Sequence, residues 1–431
     1  MGIHNNNVFD LASQLSEGVI APSPVVDIHT HIRPTSPAAL DLSEILFYTY
    51  IVTAFQTAGV SRQEIEDAKT TEEKIALFVS RHHLIANTSA YWCLRQVLCC
   101  FDLGTDVVLT VNSLTDVSRH VCQTASSSLW PRQVLVERHN IRRTFLTLSI
   151  TEELPVFDTK LFVGALRLDD LLSGLSLDSL QSFERVCGLG IDDLNSFECA
   201  LGTVLSHFAA SGGLAITVAM PPEEDYVSSD PVAAEGLFAK VRRGESLGLT
   251  ERAVLHSYIL RAVVHLARDL HLPVQLMLGV RRPLAGGVAL PVVEPNLAIR
   301  FADLFYSCPS THFDLILASV SHSQELIALA QNYPNVSIGG SWWYAFSPPY
   351  IRKMLTERLL ALPVTKTHGF FSDAYNVEWS TGKLALLRRE LAWVLAELII
   401  SGYLSESQAP EVARALLYDN PAHFYTINDL N

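Results

Sequence analysis

Pro24-Val-Val-Asp27-Ile-His29-Thr-His31 is an apolar run that ends in two histidines spaced two apart. In a strand, side chains at i and i+2 point to the same side, so His29 and His31 can place two imidazoles on one metal ion. With 15 histidines in 431 residues, about half an HxH pair arises by chance, so the spacing alone carries little weight. Its position at the end of a strand raises it. Outward from this run, at 24–28, further short apolar or β-branched runs bounded by turn residues occur at 144–150, 161–168, 214–219, 273–278, 313–320, 336–342 and 367–373. Most are separated by longer amphipathic stretches, the alternation of a parallel sheet, and several are nearly continuous in apolar residues, as strands buried on both faces are. The expected fold class is α/β, a distorted (β/α)8 TIM-type barrel.

The spacing of the runs fixes the expected organisation. Residues 1–23 are an N-terminal segment and 24–431 the barrel. The connection 151–160 is too short for a full crossover helix, so an irregular or missing helix is predicted there. The stretch 250–270 is predicted helical, with Val254, Ile259, Ala262, Val263 and Leu266 on one face and Thr250 as cap. About 115 residues separate the first run from the second, far more than a crossover needs. Residues 40–139 are therefore read as a helical insertion with aromatic clusters (Phe47, Tyr48, Tyr50, Tyr91, Trp92), placed after strand one on the face where barrel enzymes keep their sites.

Composition removes several classes of function. Hydrophobic residues make up 49% of the chain and charged ones 18%, which is too apolar for disorder. The net charge is −14 and no Lys/Arg run is long enough to neutralise a series of phosphates, so nucleic acid is not an expected partner. The most apolar stretch, from Leu391 to Leu404, is broken by Glu397 and Gly402, and no membrane span is expected. The first residues carry no basic or apolar targeting pattern, which reads as cytoplasmic. Seven cysteines with no CxxC pair read as reduced thiols that mostly serve packing.

Asp27-Ile-His-Thr-His, followed by Ser372-Asp373 at the end of the eighth run, resembles the metal motif of the amidohydrolase superfamily. Within it the sequence is similar to the uronate isomerases, through Leu166-Arg167-Leu168-Asp169, Gln275-Leu-Met-Leu-Gly-Val-Arg281, Gly340-Ser-Trp-Trp-Tyr344, Ser372-Asp373-Ala374 and the terminal Asp419-Asn420-Pro-Ala-His-Phe-Tyr425. The resemblance extends over most of the chain and marks it as a divergent member. It implies a metal-dependent aldose–ketose isomerase acting on a hexuronate (glucuronate, galacturonate) or a related sugar acid. A metal-dependent hydrolase of a lactone, ester or amide is the alternative. Homo-oligomerisation is left open.

On that reading His29, His31 and Asp373 hold one divalent ion, zinc by preference because two imidazoles and a carboxylate suit it. Asp373 is ligand, base or both. Arg167 is the clamp for the substrate carboxylate, or else an ion-pair partner of Asp169 or Asp170. Tyr50 relays a proton, or is a packed aromatic. Gln275, Arg281, Trp342, Trp343 and Tyr375 are substrate contacts, and only one of the adjacent tryptophans should face the sugar. His322 is either a ligand-region histidine, or one on the surface or behind a ligand. Three departures from the family pattern stand out: Met277 replaces a histidine, Tyr375 replaces an arginine beside the strand-eight aspartate, and Tyr344-Ala345-Phe346 follows the aromatic pair in place of a polar Asn-Asp pair; Thr49 also stands where some members place a histidine. Losing that arginine removes a positive charge and should make Asp373 a stronger base.

Overall fold

Strands covered on both faces must be apolar along their whole length, and the runs that become strands here are. In the computed structural model β1 (Val25–Thr30), β2 (Ile141–Ser149), β3 (Phe162–Arg167), β4 (Gly213–Met220), β5 (Val274–Leu278), β6 (Phe313–Leu317) and β7 (Val336–Ile338) form at seven of the eight expected places. Every residue of β1, β5, β6 and β7 is buried. The structure describes residues 2–228, 230–284 and 288–427, the side chains of 2–6 and 343 excepted.

The eighth expected strand does not form. Thr367 makes an isolated bridge to Ile338 and His368 N–H donates to the Ile338 carbonyl at 2.9 Å, but the Gly369 N–H turns to the Leu416 carbonyl at 2.8 Å. With its donors engaged elsewhere, this segment cannot extend a ladder. The fold class remains α/β of the TIM-barrel type, with a main sheet of seven strands and an irregular eighth segment among the described residues.

The chain divides into two compact units. One comprises Met1–Arg142, Phe346–Arg352 and Ser372–Ala413; the other comprises Arg143–Ala345, Lys353–Phe371 and Arg414–Asn431. In the second unit β2 to β7 pair in chain order, every pair parallel. Helices such as Leu194–Ala210, Leu249–Asp269 and Ser323–Asn332 make the crossovers. Residues 151–160 contain none, as their length predicts. The Leu249–Asp269 helix starts one residue earlier than expected. Its end is closed by Glu251, whose carboxylate accepts from the Gly248 N–H at 2.9 Å, so Thr250 is not the cap. Its buried face is rotated from the expected one, with Leu255, Ile259, Val263 and Ala267 at spacings of four.

The first unit holds β1 and the insertion, which is helical as expected, with Thr49–Thr57, Thr71–Arg81, Ser89–Leu98 and Val111–Ala125 as its main helices. Its longest element is the helix Val377–Ile400, packed against Gly2–Leu15 and Ser89–Leu98. Close approach is possible because residue 382 is glycine: a Cβ there would lie 2.6 Å from Val97 Cγ2 and 2.7 Å from the Cys93 carbonyl oxygen. Among the described residues no helix is long and apolar enough to cross a membrane. All seven cysteines are unpaired, and Cys93, Cys100 and Cys308 are buried.

Candidate metal centre

Alternation along β1 puts Asp27 and His29 on one side of the strand, with His31 following just past its end. His29 is fully buried, while the His31 side chain keeps 24% of its surface exposed, so the pair runs from the interior toward the surface. The strand is latched to the segment carrying Asp373: the Asp373 N–H donates to the His29 carbonyl at 3.0 Å, and the His31 N–H to the Ala374 carbonyl at 2.7 Å. Between these two clamps Asp373 takes a φ of +54°, the left-handed region that Asp tolerates better than most residues.

The result is a three-donor cluster. Donor atoms of His29, His31 and Asp373 all lie within 4.8 Å of one another, and among the described residues no other such group of His, Cys, Asp or Glu is found. His31 Nε2 is 3.4 Å from Asp373 Oδ1. Two ligands bound at about 2.1 Å on a tetrahedral ion are separated by roughly the same distance, so the two histidines and the carboxylate fit a divalent cation with one position left open.

Around this cluster the helical insertion contributes two tyrosines. Tyr50 O–H donates to Asp373 Oδ2 at 3.5 Å, and Tyr48 O–H donates to the Asp373 carbonyl at 3.2 Å. Tyr48 lies flat on Trp379 with ring centres 4.2 Å apart. Tyr375, 47% exposed, stacks on the His31 ring at 5.3 Å. From the helix Val377–Ile400, Lys383 Nζ donates to the Tyr50 hydroxyl at 2.7 Å and to the Ser372 carbonyl.

These placements set the charges. Burial alone would push the Asp373 carboxyl up; the hydrogen bond and charge of His31, with Lys383 and His29, outweigh it and hold the group down at about 2. His31 is the main cause of this lowering, and Lys383 adds a cation from the helix Val377–Ile400. Burial pushes Asp27 up to about 7 despite the Ser372 N–H bonded to its Oδ1 at 2.9 Å, and its Oδ2 has no hydrogen-bond partner. Burial, then the Asp373 charge, pushes the Tyr50 phenol well above its usual value, so Tyr50 is a neutral donor. Burial brings Lys383 down to about 8, against the opposing pull of Asp373 and Asp27.

The remaining sequence candidates lie in the second unit. Arg167, at the end of β3, pairs with Asp169 through Nη2 at 2.6 Å and through Nε at 2.7 Å, while Asp169 Oδ1 accepts from the Ala219 N–H at 2.7 Å. Arg281 pairs with Glu294 at 2.8 Å and Glu223 at 3.5 Å. Gln275 is fully buried, its Oε1 accepting from Thr217 at 2.7 Å and its Nε2 donating to Tyr425 at 3.0 Å. Trp342 is buried between Tyr344 and Phe371; the Trp343 side chain lies outside the described residues. Met277 is buried. His322 is buried too, not on the surface; its Nδ1 is 2.9 Å from Glu325 and its Nε2 has no hydrogen-bond partner.

No family model matches the chain. A uronate isomerase of Xanthomonas oryzae pv. oryzae is 30% identical over 111 residues, a match that covers 26% of this chain and about a quarter (24%) of that protein. Among solved structures, the uronate isomerase of Thermotoga maritima superposes with a TM-score of 0.85 at 17% identity, covering 97% of each chain. The chain has the fold of the uronate isomerases. The glucuronate isomerase of Caulobacter crescentus gives a TM-score of 0.84 at 18% identity, covering 99% of this chain and 95% of its own.

Sequence reading brought His29, His31, Asp373 and Tyr50 to one place but missed Lys383 and Tyr48. Lys383 had a signal. It interrupts the stripe Trp379, Leu387, Leu391 at the same spacing of four, and a lysine inside an apolar stripe is one that must find partners.

Proposed function

We propose that the protein is a metal-dependent aldose–ketose isomerase whose substrate is a hexuronate or a related sugar acid. The observation that carries this reading is the division of labour within one carboxylate. Asp373 Oδ1 faces His31 and Oδ2 faces the Tyr50 hydroxyl, so one oxygen can hold an ion while the other exchanges a proton. Isomerisation needs both: the carbonyl must be polarised, and a proton must move between C2 and C1 through an enediol.

His29, His31 and Asp373 would hold the ion, for which zinc suits the donor set, and the ion would act as a Lewis acid on the sugar oxygens. Asp373 Oδ2 takes the carbon proton and returns it to the neighbouring carbon. Tyr50, a neutral phenol whose hydroxyl donates to that same oxygen, relays the proton. Arg167 clamps the substrate carboxylate with the part of its planar fork not turned to Asp169. Tyr375, stacked on His31, bounds the sugar. The unpaired thiols suit a reducing compartment such as the cytoplasm.

The test is to incubate the zinc-loaded protein with glucuronate, galacturonate, aldonates and their lactones and follow products by NMR in H₂¹⁸O. Isomerisation gives a keto acid of unchanged mass. Label incorporated by hydrolysis of a lactone would replace this reading with a hydrolase. Replacing both His29 and His31 by Ala should abolish turnover and empty the site of metal while the chain stays folded, checked by elemental analysis and circular dichroism. Full metal occupancy in that variant would place the ion elsewhere.

A further inference from the structure

Lys383 is 1% exposed, and among the described residues no carboxylate comes within ion-pair distance of it. A buried cation without a direct counter-ion is costly, and at a purely packing position of an apolar stripe it would be replaced by Leu or Met at no loss. What surrounds the ammonium is instead a set of acceptors and ring faces. Nζ donates to the Tyr50 hydroxyl oxygen at 2.7 Å and to the Ser372 carbonyl, and lies 4.3 Å and 5.4 Å from the ring centres of Tyr50 and Tyr48. Gly382 lets the helix press onto Cys93 and Val97, which is what carries the next residue inward.

We propose that Lys383 is the positioning residue of the site: it fixes the direction in which Tyr50 donates its proton. An ammonium has donors and no acceptor, so the Tyr50 oxygen accepts from Lys383, and the phenolic hydrogen is donated to Asp373 Oδ2 at 3.5 Å. The same cation holds the Ser372 carbonyl and so the turn that presents Asp373. Tyr375 stands where the family pattern has an arginine; the fixed positive charge comes here from the helix, behind the tyrosine. For its catalytic consequence this rests on the isomerase reading. The hydrogen-bond direction does not.

The experiment compares full-length, zinc-loaded Lys383→Met, Tyr50→Phe and the double variant with wild type at equal zinc content. Lys383→Met should lower kcat by about 10- to 100-fold with KM within about twofold, and the double variant should lose clearly less than the product of the two single losses, since the lysine acts largely through the tyrosine. Losses that multiply, or an unchanged kcat in Lys383→Met, would overturn the proposal. Should Lys383→Met not fold, Lys383→Gln keeps a neutral donor of similar length and must show the same non-additivity with Tyr50→Phe. If wild type isomerises no uronate, the isomerase reading fails, and a second readout still decides on Lys383. In protein labelled with ¹³Cζ-tyrosine, the resonance lost in Tyr50→Phe should move in Lys383→Met; an unmoved resonance would refute the link.

Discussion

At the scale of single residues, the centre shows how much chemistry can be concentrated on Asp373. Its main chain is clamped by His29 and Ala374 hydrogen bonds with their partners on both segments, its two oxygens face different groups, and nearby positive charge holds it ionised. Arg167 is the residue where two roles compete. Its ion pair with Asp169 is partly exposed, and such pairs contribute about 1 kcal/mol or less, so Arg167→Met should shift the thermal midpoint little. A charge-assisted contact with a substrate carboxylate contributes about 1.5–3 kcal/mol, so KM for an anionic sugar should rise about 10- to 150-fold while a neutral lactone is unaffected. Steady-state kinetics beside a melting curve separates the roles. A large drop in melting temperature with unchanged KM would make Arg167 only a partner of Asp169.

At the scale of elements, the helix Val377–Ile400 and the insertion build the centre's rear wall. Gly382→Ala places a methyl against the Val97 side chain and the Cys93 backbone; overpacking of this kind costs about 1–3 kcal/mol. We expect a lower melting temperature and, because Lys383 moves with the helix, a fall in kcat as well. An unchanged melting curve would show that the helices simply separate. His139, beside this helix, reports acid sensitivity. Burial, with the charges of Arg388 and Arg138, brings its imidazole down to about 4 from 6.5. Its folded value lies below the unfolded one, so its stabilising effect is present above pH 6.5 and is lost as pH falls toward 4. Since the residue is only partly buried, the discounted effect is about 2 kcal/mol. His139→Gln should lose less melting temperature than wild type between pH 7 and pH 4.5; parallel losses would show that His139 has no part in acid unfolding. The insertion was legible as helical from its length and aromatic clusters, and Tyr50 from its resemblance. The inward turn of Lys383 was not, because it depends on a close helix contact at Gly382 that no local pattern displays.

At the scale of the molecule, seven strands were legible because burial on both faces demands apolar runs, and the eighth was misread because the segment 367–373 has the same composition but different hydrogen-bond partners. Gly369 bonds to Leu416 and Asp373 to His29, pairings set by residues far away in sequence. The C-terminal residues that cause this also close the core of the second unit. Tyr425 is fully buried, its hydroxyl donating to Asp314 Oδ2 and accepting from Gln275 Nε2. Thr217 on β4 bonds to the same Gln275, and His368 Nδ1 to the same Asp314 carboxylate oxygen at 3.0 Å. One phenol thus joins three strands and the irregular eighth segment. Gln275, read from the sequence as a substrate contact, is bound into this network through both its oxygen and its nitrogen. Tyr425→Phe keeps the ring and removes the hydroxyl, leaving two buried polar groups each short of a partner, at a cost of about 1–3 kcal/mol. Asp314 is the more exposed to this loss, since its Oδ1 has no hydrogen-bond partner even in the intact network. We therefore expect the melting temperature of Tyr425→Phe to fall and hydrogen exchange to quicken in β4, β5 and β6, while metal content per folded chain stays at the wild-type level, because every proposed ligand belongs to the first unit. A melting temperature within a degree of wild type would mean that water or the rearranged Asp314 replaces the hydroxyl. A loss of metal together with stability would mean that the network at the C-terminus also governs the metal centre.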